Sequence, residues 1–395
     1  MRPPGRVRIV LVHSSDEHYG SDRVVLDVLR ALDRRTDTDV IVLVPDDTPH
    51  GRSPLCAQIA RHHPNVTVEH GDVPVVRRTQ RSPLAMIALT RRVLRLTRRL
   101  RAIRPDLVWC ATSATLPAAI AARAARAPSV VVHVHEIWAG PSRLALRQLA
   151  RLTTGCVVVS TAVERAARLG KHPCTVVLNA VPIPAEHARC RTVGEPLRFL
   201  VASRWGWWKG HATLLAAWSR AGSPGLLTIL GARPPSGGGV DVRRLAGDSE
   251  SISIDGEVDD IGPHLDRSDV LILPSERPEP FGLVIIEAFA RGVPVIATNA
   301  GGVPEIVTHD VDGWLVEPGD IDMLAARLAT LRAVDIARAG ARATTTHRTR
   351  FTTARFDAAI NEAIETQLRR AADTKQRARR RRTPRWRRTA LHTAP

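Results

Sequence analysis

Thirteen short runs rich in β-branched residues recur along the chain, and helical patterns separate most of them. The first half carries RIVLVH, DVIVLVP, NVTVEH, DLVWC, SVVVHVHE, CVVVST and TVVLNAV, and the second LRFLVASR, GLLTILG, SISIDGEV, DVLILPS, PVIATNA and GWLVEP. A strand followed by a helix and another strand in the same sense builds parallel sheets covered by helices, so the rhythm predicts a doubly wound α/β protein. With 395 residues there is enough chain for two hydrophobic cores. The stretch VPIPAEHARCRTVGEP, rich in proline and polar residues and without periodicity, marks the boundary. The expected division is a first Rossmann-like domain over 1–185 and a second over 186–350. A helix over 351–370 would pack back across the domains, and a basic, disordered tail would occupy 371–395.

Several classes are disfavoured. No run of about 18 apolar residues is present to cross a bilayer, and the short apolar run after the first basic residues reads as a first strand rather than a leader. Five cysteines, at 56, 110, 156, 174 and 190, are odd in number and never form a C-x-x-C pair. That pattern argues against a disulfide framework and a cysteine-built zinc site, and fits a reducing cytoplasm. A dinucleotide-binding turn would read G-x-G-x-x-G after the first strand. Here HSSDEHYGSDRVVL offers only Gly20. Net charge is +18, of which the segment from Arg369 onward supplies +10. Such a segment suits an anionic partner or is simply a solvated end. With one tyrosine, five phenylalanines and no RNA-recognition signature, a nucleic-acid-binding protein is the weaker reading.

The second half holds the chemistry-bearing stretches. In VASRWGWWKGHATLLAAW, Arg204 and Lys209 sit at a strand end before a helix, where two cations suit a diphosphate. Only three of 57 basic residues are lysine, so a lysine retained at 209 points to a need for a compact charge. In DGEVDDIGPHLDRSDVLILPS, the turn near Val258 could carry a base or ribose along its backbone. In EPFGLVIIEAFARGVPV, Pro280 suits a helix start and Gly282 permits close backbone approach. The first amides of that helix, near Leu283 and Val284, favour a phosphate. Glu279 precedes the helix, and Glu287 is expected along its exposed edge. In NAGGVPEIV, Gly301 and Gly302 make a tight turn before a helix starting near Pro304, and Glu305 either caps that helix, the favoured reading, or lines the cleft.

Taken in order, these segments resemble the nucleotide-sugar site of the retaining, metal-independent glycosyltransferases with the GT-B fold, whose signature is E-x7-E. The resemblance covers nearly all of the second domain and is weaker over the first. It implies two Rossmann-like domains facing across a cleft, and transfer of a sugar from a nucleoside-diphosphate sugar to an acceptor hydroxyl. Glu279 would hold the transferred sugar and Glu287 the ribose. Arg204 and Lys209 would neutralise the diphosphate with Gly282, Leu283 and Val284 assisting. Gly20 would lie under it, and His135, on the strand VVVHVHEIW, would face the reacting sugar. His133 shares that strand face, and a core histidine is the plainer reading of either. No metal ligands and no permanent cofactor are implied.

The acceptor would be a glycan, a lipid-linked glycan or a small molecule. The helix LTRRVLRLTRRLRAIRP has an apolar stripe of Leu89, Val93, Leu96, Leu100 and Ile103, with Arg91, Arg92, Arg95, Arg98 and Arg99 around the remainder. It suits either core packing or the anionic inner face of the cell membrane. A sugar phosphorylase or a nucleotide-sugar epimerase of the same fold is the nearer alternative.

Overall fold

The computed structural model describes residues 6–16, 20–46, 54–76, 82–184, 195–234 and 238–382, with side chains through residue 376. Each of the thirteen β-branched runs contains a strand. The first lobe has β1 (Val7–Val12), β2 (Thr38–Pro45), β3 (Thr67–Gly71), β4 (Leu107–Cys110), β5 (Ser129–Val134), β6 (Gly155–Val158) and β7 (Cys174–Val176). Its helices are α1 (Gly20–Asp33), α2 (Pro54–His62), α3 (Pro83–Ile103), α4 (Pro117–Ala124), α5 (Ser142–Ala150) and α6 (Thr161–Ala167). The strands lie in the order β3-β2-β1-β4-β5-β6-β7 and every pairing is parallel.

The second lobe has β8 (Leu197–Ala202), β9 (Gly225–Leu230), β10 (Ile252–Gly256), β11 (Val270–Leu273), β12 (Val295–Thr298) and β13 (Gly313–Val316). Its helices are α7 (His211–Arg220), α8 (Val242–Ala246), α9 (Gly262–Leu265), α10 (Leu283–Ala290), α11 (Val303–Ile306), α12 (Ile321–Thr330) and α13 (Ala333–Arg350). The order β10-β9-β8-β11-β12-β13 is again wholly parallel.

Parallel strands buried on both faces need apolar side chains on both. Val10, Leu11, Val131, Val132, Leu271 and Ile272 are accordingly removed from solvent. One apolar cluster runs from Val10 and Val132 through Leu271 and Phe289 to Phe351, so the inner layers of the two lobes share a core. A final helix, α14 (Thr353–Arg382), returns to the first lobe, where Phe356, Ile360 and Ile364 join the layer beneath β1 and α1. It continues past position 370, where the basic tail was expected to begin. Positive charges do not by themselves stop a helix whose earlier turns are already docked. The interlobe stretch 185–194 and the residues after 382 lie outside the described residues.

Candidate active site

In each sheet the strand order reverses once, between β1 and β4 and between β8 and β11. At such a point neighbouring connections leave on opposite faces and open a crevice at the carboxyl ends of the strands. The two crevices face one another. Between them is a cleft of about 520 Å³, and all ten residues singled out from the sequence line it: Gly20, His135, Arg204, Lys209, Val258, Glu279, Gly282, Leu283, Val284 and Glu287.

The second-lobe wall is held by glycines that allow backbone to touch backbone. After β8 the chain makes a single 3₁₀ turn over Trp207–Lys209 and enters Gly210 at φ 70°. A Cβ on Gly210 would stand 1.8 Å from the Pro274 carbonyl oxygen, so this turn docks directly on the end of β11. Lys209 is thereby brought to Glu279, with Nζ 2.6 Å from Oε1. The Ser275 hydroxyl donates to the same oxygen. Behind it, the Thr298 hydroxyl donates to the Ser275 carbonyl at 2.8 Å. The Glu279 backbone is fixed by the tight turn read from the sequence: Gly302 N–H donates to its carbonyl at 2.7 Å, and a Cβ on Gly301 would meet that oxygen at 2.1 Å. His211, at the start of α7, lies 3.3 Å through Nε2 from the Arg204 carbonyl and 3.2 Å from the Ser203 hydroxyl. Burial holds this imidazole neutral, with its pKa down to about 4, so an Nε2–H can anchor the Arg204 backbone.

Helix α10 starts at Leu283, not at Pro280 as expected. Gly282 is its N-cap at φ 108°, a conformation that glycine adopts without strain. Pro280 instead lies in the preceding turn, where its carbonyl accepts the Ser160 hydroxyl of the first lobe at 2.6 Å. Glu287 is also placed differently from expectation. Its side chain is only 15% exposed and is paired with Arg23 of α1. Burial raises its pKa, and the Arg23 charge works against that rise.

The first-lobe wall begins at Gly20, the first residue of α1, where an added Cβ would lie 3.3 Å from Leu283 of the facing helix. Tyr19 lies outside the described residues. His13 and Asp22, both buried, pair at 2.9 Å beneath this turn. His135 follows β5 and faces the cleft. Its ring lies 4.1 Å from that of His133, which is itself buried edge-on against Trp109. Burial and the nearby His13 press the pKa of His135 down to about 3, so it enters any chemistry at neutral pH uncharged. Glu136 beside it accepts the Ser113 hydroxyl at 2.6 Å, and burial raises its pKa.

Five contributors escaped the sequence reading: Arg23, Ser160, His211, Ser275 and Asn179. Asn179 is 3% exposed, lines the cleft and leaves its Oδ1 without a hydrogen bond among the described residues. His211 and Ser275 stood inside the quoted motifs and could have been named from their strand-end positions. Glu305 has a structural role, as read, but on a different helix. Its carboxylate accepts Thr161 N–H at 2.8 Å and Ala162 N–H at 2.6 Å, capping α6 across the lobe boundary.

Residues 19–183 match the family model described as Glycosyltransferase Family 4, and residues 196–333 that described as Glycosyl transferases group 1. A GDP-mannose-dependent alpha-(1-6)-phosphatidylinositol monomannoside mannosyltransferase of Mycobacterium tuberculosis is 33% identical over 181 residues, 40% of this chain and 46% of that protein. An N-acetyl-alpha-D-glucosaminyl L-malate synthase of Bacillus anthracis is 48% identical over 65 residues, 16% of this chain and 17% of the relative. The matched stretches thus span less than half of these curated relatives. Among solved structures, Anabaena Alr3699/HepE in complex with UDP and glucose superposes with a TM-score of 0.75 at 22% identity, covering 91% of this chain and 100% of that one. Sucrose-phosphate synthase of Thermosynechococcus elongatus gives 0.74 at 19%, covering 91% and 99%. At these identities the likeness is one of fold.

Proposed function

For a chain that joins a Glycosyltransferase Family 4 domain to a Glycosyl transferases group 1 domain in one GT-B fold, we propose retaining, metal-independent transfer of a hexosyl unit from a nucleoside-diphosphate sugar to an acceptor hydroxyl. The observation that carries this reading is the convergence of ten sequence-selected residues on one interlobe cleft, with the Lys209–Glu279 pair at its strand-end wall. The names of the relatives and neighbours, which include a GDP-mannose-dependent enzyme and a UDP complex, are in keeping with it.

In this reading Arg204, Lys209 and the first amides of α10 hold the diphosphate. As the sugar–phosphate bond breaks, negative charge grows on the leaving phosphate at a place where these charges and dipoles are already fixed. Fixed positive groups lower that barrier without reorganising. Lys209 and Ser275 both end on Oε1 of Glu279, which leaves the other carboxylate oxygen for hydroxyls of the transferred sugar. Engaged in this way, Glu279 orients the donor and does not attack it. The departing phosphate oxygen takes the acceptor proton on the face the leaving group vacates, which preserves anomeric configuration.

Glu287 takes the ribose hydroxyls once Arg23 yields, and the backbone near Val258 supports the base. His135, uncharged, faces the reacting sugar, and Gly20 lets the first lobe close over the diphosphate. The acceptor is a glycan, a lipid-linked glycan or a small molecule bound chiefly by the first lobe. Leu84, Met86, Ile87 and Leu94 are exposed on α3 among arginines, while Leu96, Leu100 and Ile103 are buried. That half-docked helix suits a protein resident in the cytoplasm and resting on an anionic membrane surface. No helix among the described residues is long and apolar enough to cross one.

Calorimetric titration with UDP, GDP and ADP tests the donor class, and tight binding of one of them is the expected result. A donor-hydrolysis screen across nucleotide sugars then identifies the sugar. Glu279→Ala, Arg204→Ala and Lys209→Ala should each lose transfer by about 10²-fold or more while keeping the native circular-dichroism spectrum. Near-normal turnover in any two would remove the assignment. Silence toward all three nucleotides would favour the phosphorylase alternative.

A further inference from the structure

Asp16, Cys56 and His70 come together outside the cleft, on the first lobe, and each offers one ligand atom within 4.8 Å of the others. They come from three separate elements: the β1–α1 connection, the first turn of α2 and the end of edge strand β3. Because β2 lies between β1 and β3, the trio gathers near the carboxyl end of the sheet.

We propose that Asp16, Cys56 and His70 form a zinc site that ties the β1–α1 turn to α2 and β3. The second observation is the state of Asp16. This carboxylate is 6% exposed, accepts the Cys56 backbone N–H at 3.0 Å through Oδ1, and has no hydrogen bond to Oδ2 among the described residues. The Cys56 side chain hydrogen-bonds this carboxylate as well, so a divalent ion here would take the place of the thiol proton between sulfur and carboxylate and engage the unpaired Oδ2. Three mixed ligand atoms lie within 4.8 Å of one another: a carboxylate oxygen, a thiol sulfur and an imidazole nitrogen. Sulfur and imidazole select a borderline-soft ion over magnesium or calcium, and three protein ligands leave a fourth tetrahedral position for water.

The charges also balance. Carboxylate and thiolate together neutralise a divalent ion, with the imidazole neutral. Binding transfers the Cys56 thiol proton to solvent, no electron moves, and affinity therefore rises with pH. The position gives the ion a purpose. Asp16 lies four residues before Gly20, the first residue of α1, so the metal would sit close to the start of the helix that lines the cleft. This inference is independent of the transferase reading.

The test uses the full chain, untagged and freed of metal by chelator dialysis, titrated with Zn²⁺ alone and with Co²⁺ alone. One equivalent of zinc is expected, together with a higher thermal midpoint. The cobalt form should show a thiolate-to-metal charge-transfer band in the near ultraviolet. Loss even of outer-shell partners costs metal sites about 10–100-fold in affinity, so Cys56→Ser and His70→Ala should each lose at least ~100-fold. Cys174→Ser, at another half-buried thiol, should retain full uptake. No saturable zinc uptake, or a cobalt spectrum of the unaltered protein without the thiolate band, overturns the proposal whether or not the variants fold. Uptake unchanged in a folded Cys56→Ser protein overturns it equally.

Discussion

Gly210 shows how a single residue positions the second-lobe wall of the cleft. Its φ of 70° is a left-handed conformation, and the Pro274 carbonyl oxygen occupies the space a Cβ would need, 1.8 Å away. Gly319 has nearly the same backbone, at φ 77°, with nothing within 4 Å of the missing Cβ. Ala in place of either pays about 1–2 kcal/mol of left-handed strain. Only Gly210→Ala must also force β11 and the Lys209 turn apart. In urea unfolding, Gly319→Ala should lose about that amount and Gly210→Ala at least twice as much, with transfer activity falling only in the latter. Equal losses in both variants would mean the two segments do not touch as described. The sequence disclosed Lys209 and Gly210 as a loop worth noticing. It did not disclose that the loop rests on Pro274, because the contact joins residues 64 positions apart in a chain whose order says nothing of strand adjacency.

At the scale of elements, α6 and α11 show how the lobes are held. The amino end of α6 carries two caps from different sources: its own Ser160, which accepts Val163 N–H, and Glu305 from the other lobe. Capping side chains satisfy the unpaired first amides of a helix and are worth about 0.5–2 kcal/mol. Here that energy is spent on lobe association as much as on α6. Glu305→Ala should therefore lower donor affinity and increase the average lobe separation seen by small-angle scattering, with helix content unchanged. A variant with the scattering profile and nucleotide affinity of the parent would refute that role. Helix α3 makes the complementary point. Its apolar stripe was legible from spacing, but full burial begins only at Leu96, while Leu89 and Val93 are half-buried.

The whole molecule is closed by its last helix. Although α14 follows the second lobe in sequence, its apolar face lies in the first lobe, and Gln367 bonds there as well. The Ser129 hydroxyl donates to its carbonyl at 3.1 Å, and the Thr154 hydroxyl to its side-chain oxygen at 2.9 Å. A chain ending at Thr352 should expose the layer holding Val25 and Leu29 and unfold at lower urea, whereas one ending at Arg370 should keep its midpoint. Loss of stability in the longer form would assign the later residues a structural part. The same Arg370-ended chain separates the membrane contributions. Flotation with anionic vesicles should weaken but persist through α3, and failure of the full chain to float at moderate salt would end the membrane reading.

Local patterning, by itself, determined the strands, the two-sheet α/β class and the strand-end residues that line the cleft. Parallel strands buried on both faces must be short, apolar and spaced by helices, and ligand residues must follow strand ends. Tertiary structure alone decided which strand ends oppose each other. It put Arg23 on Glu287, Glu305 on α6 and Asp16 beside Cys56 and His70. These are encounters between distant segments, set by sheet order and lobe closure. Neither periodicity nor spacing carries that information, because contact across a lobe boundary depends on how two completed cores meet.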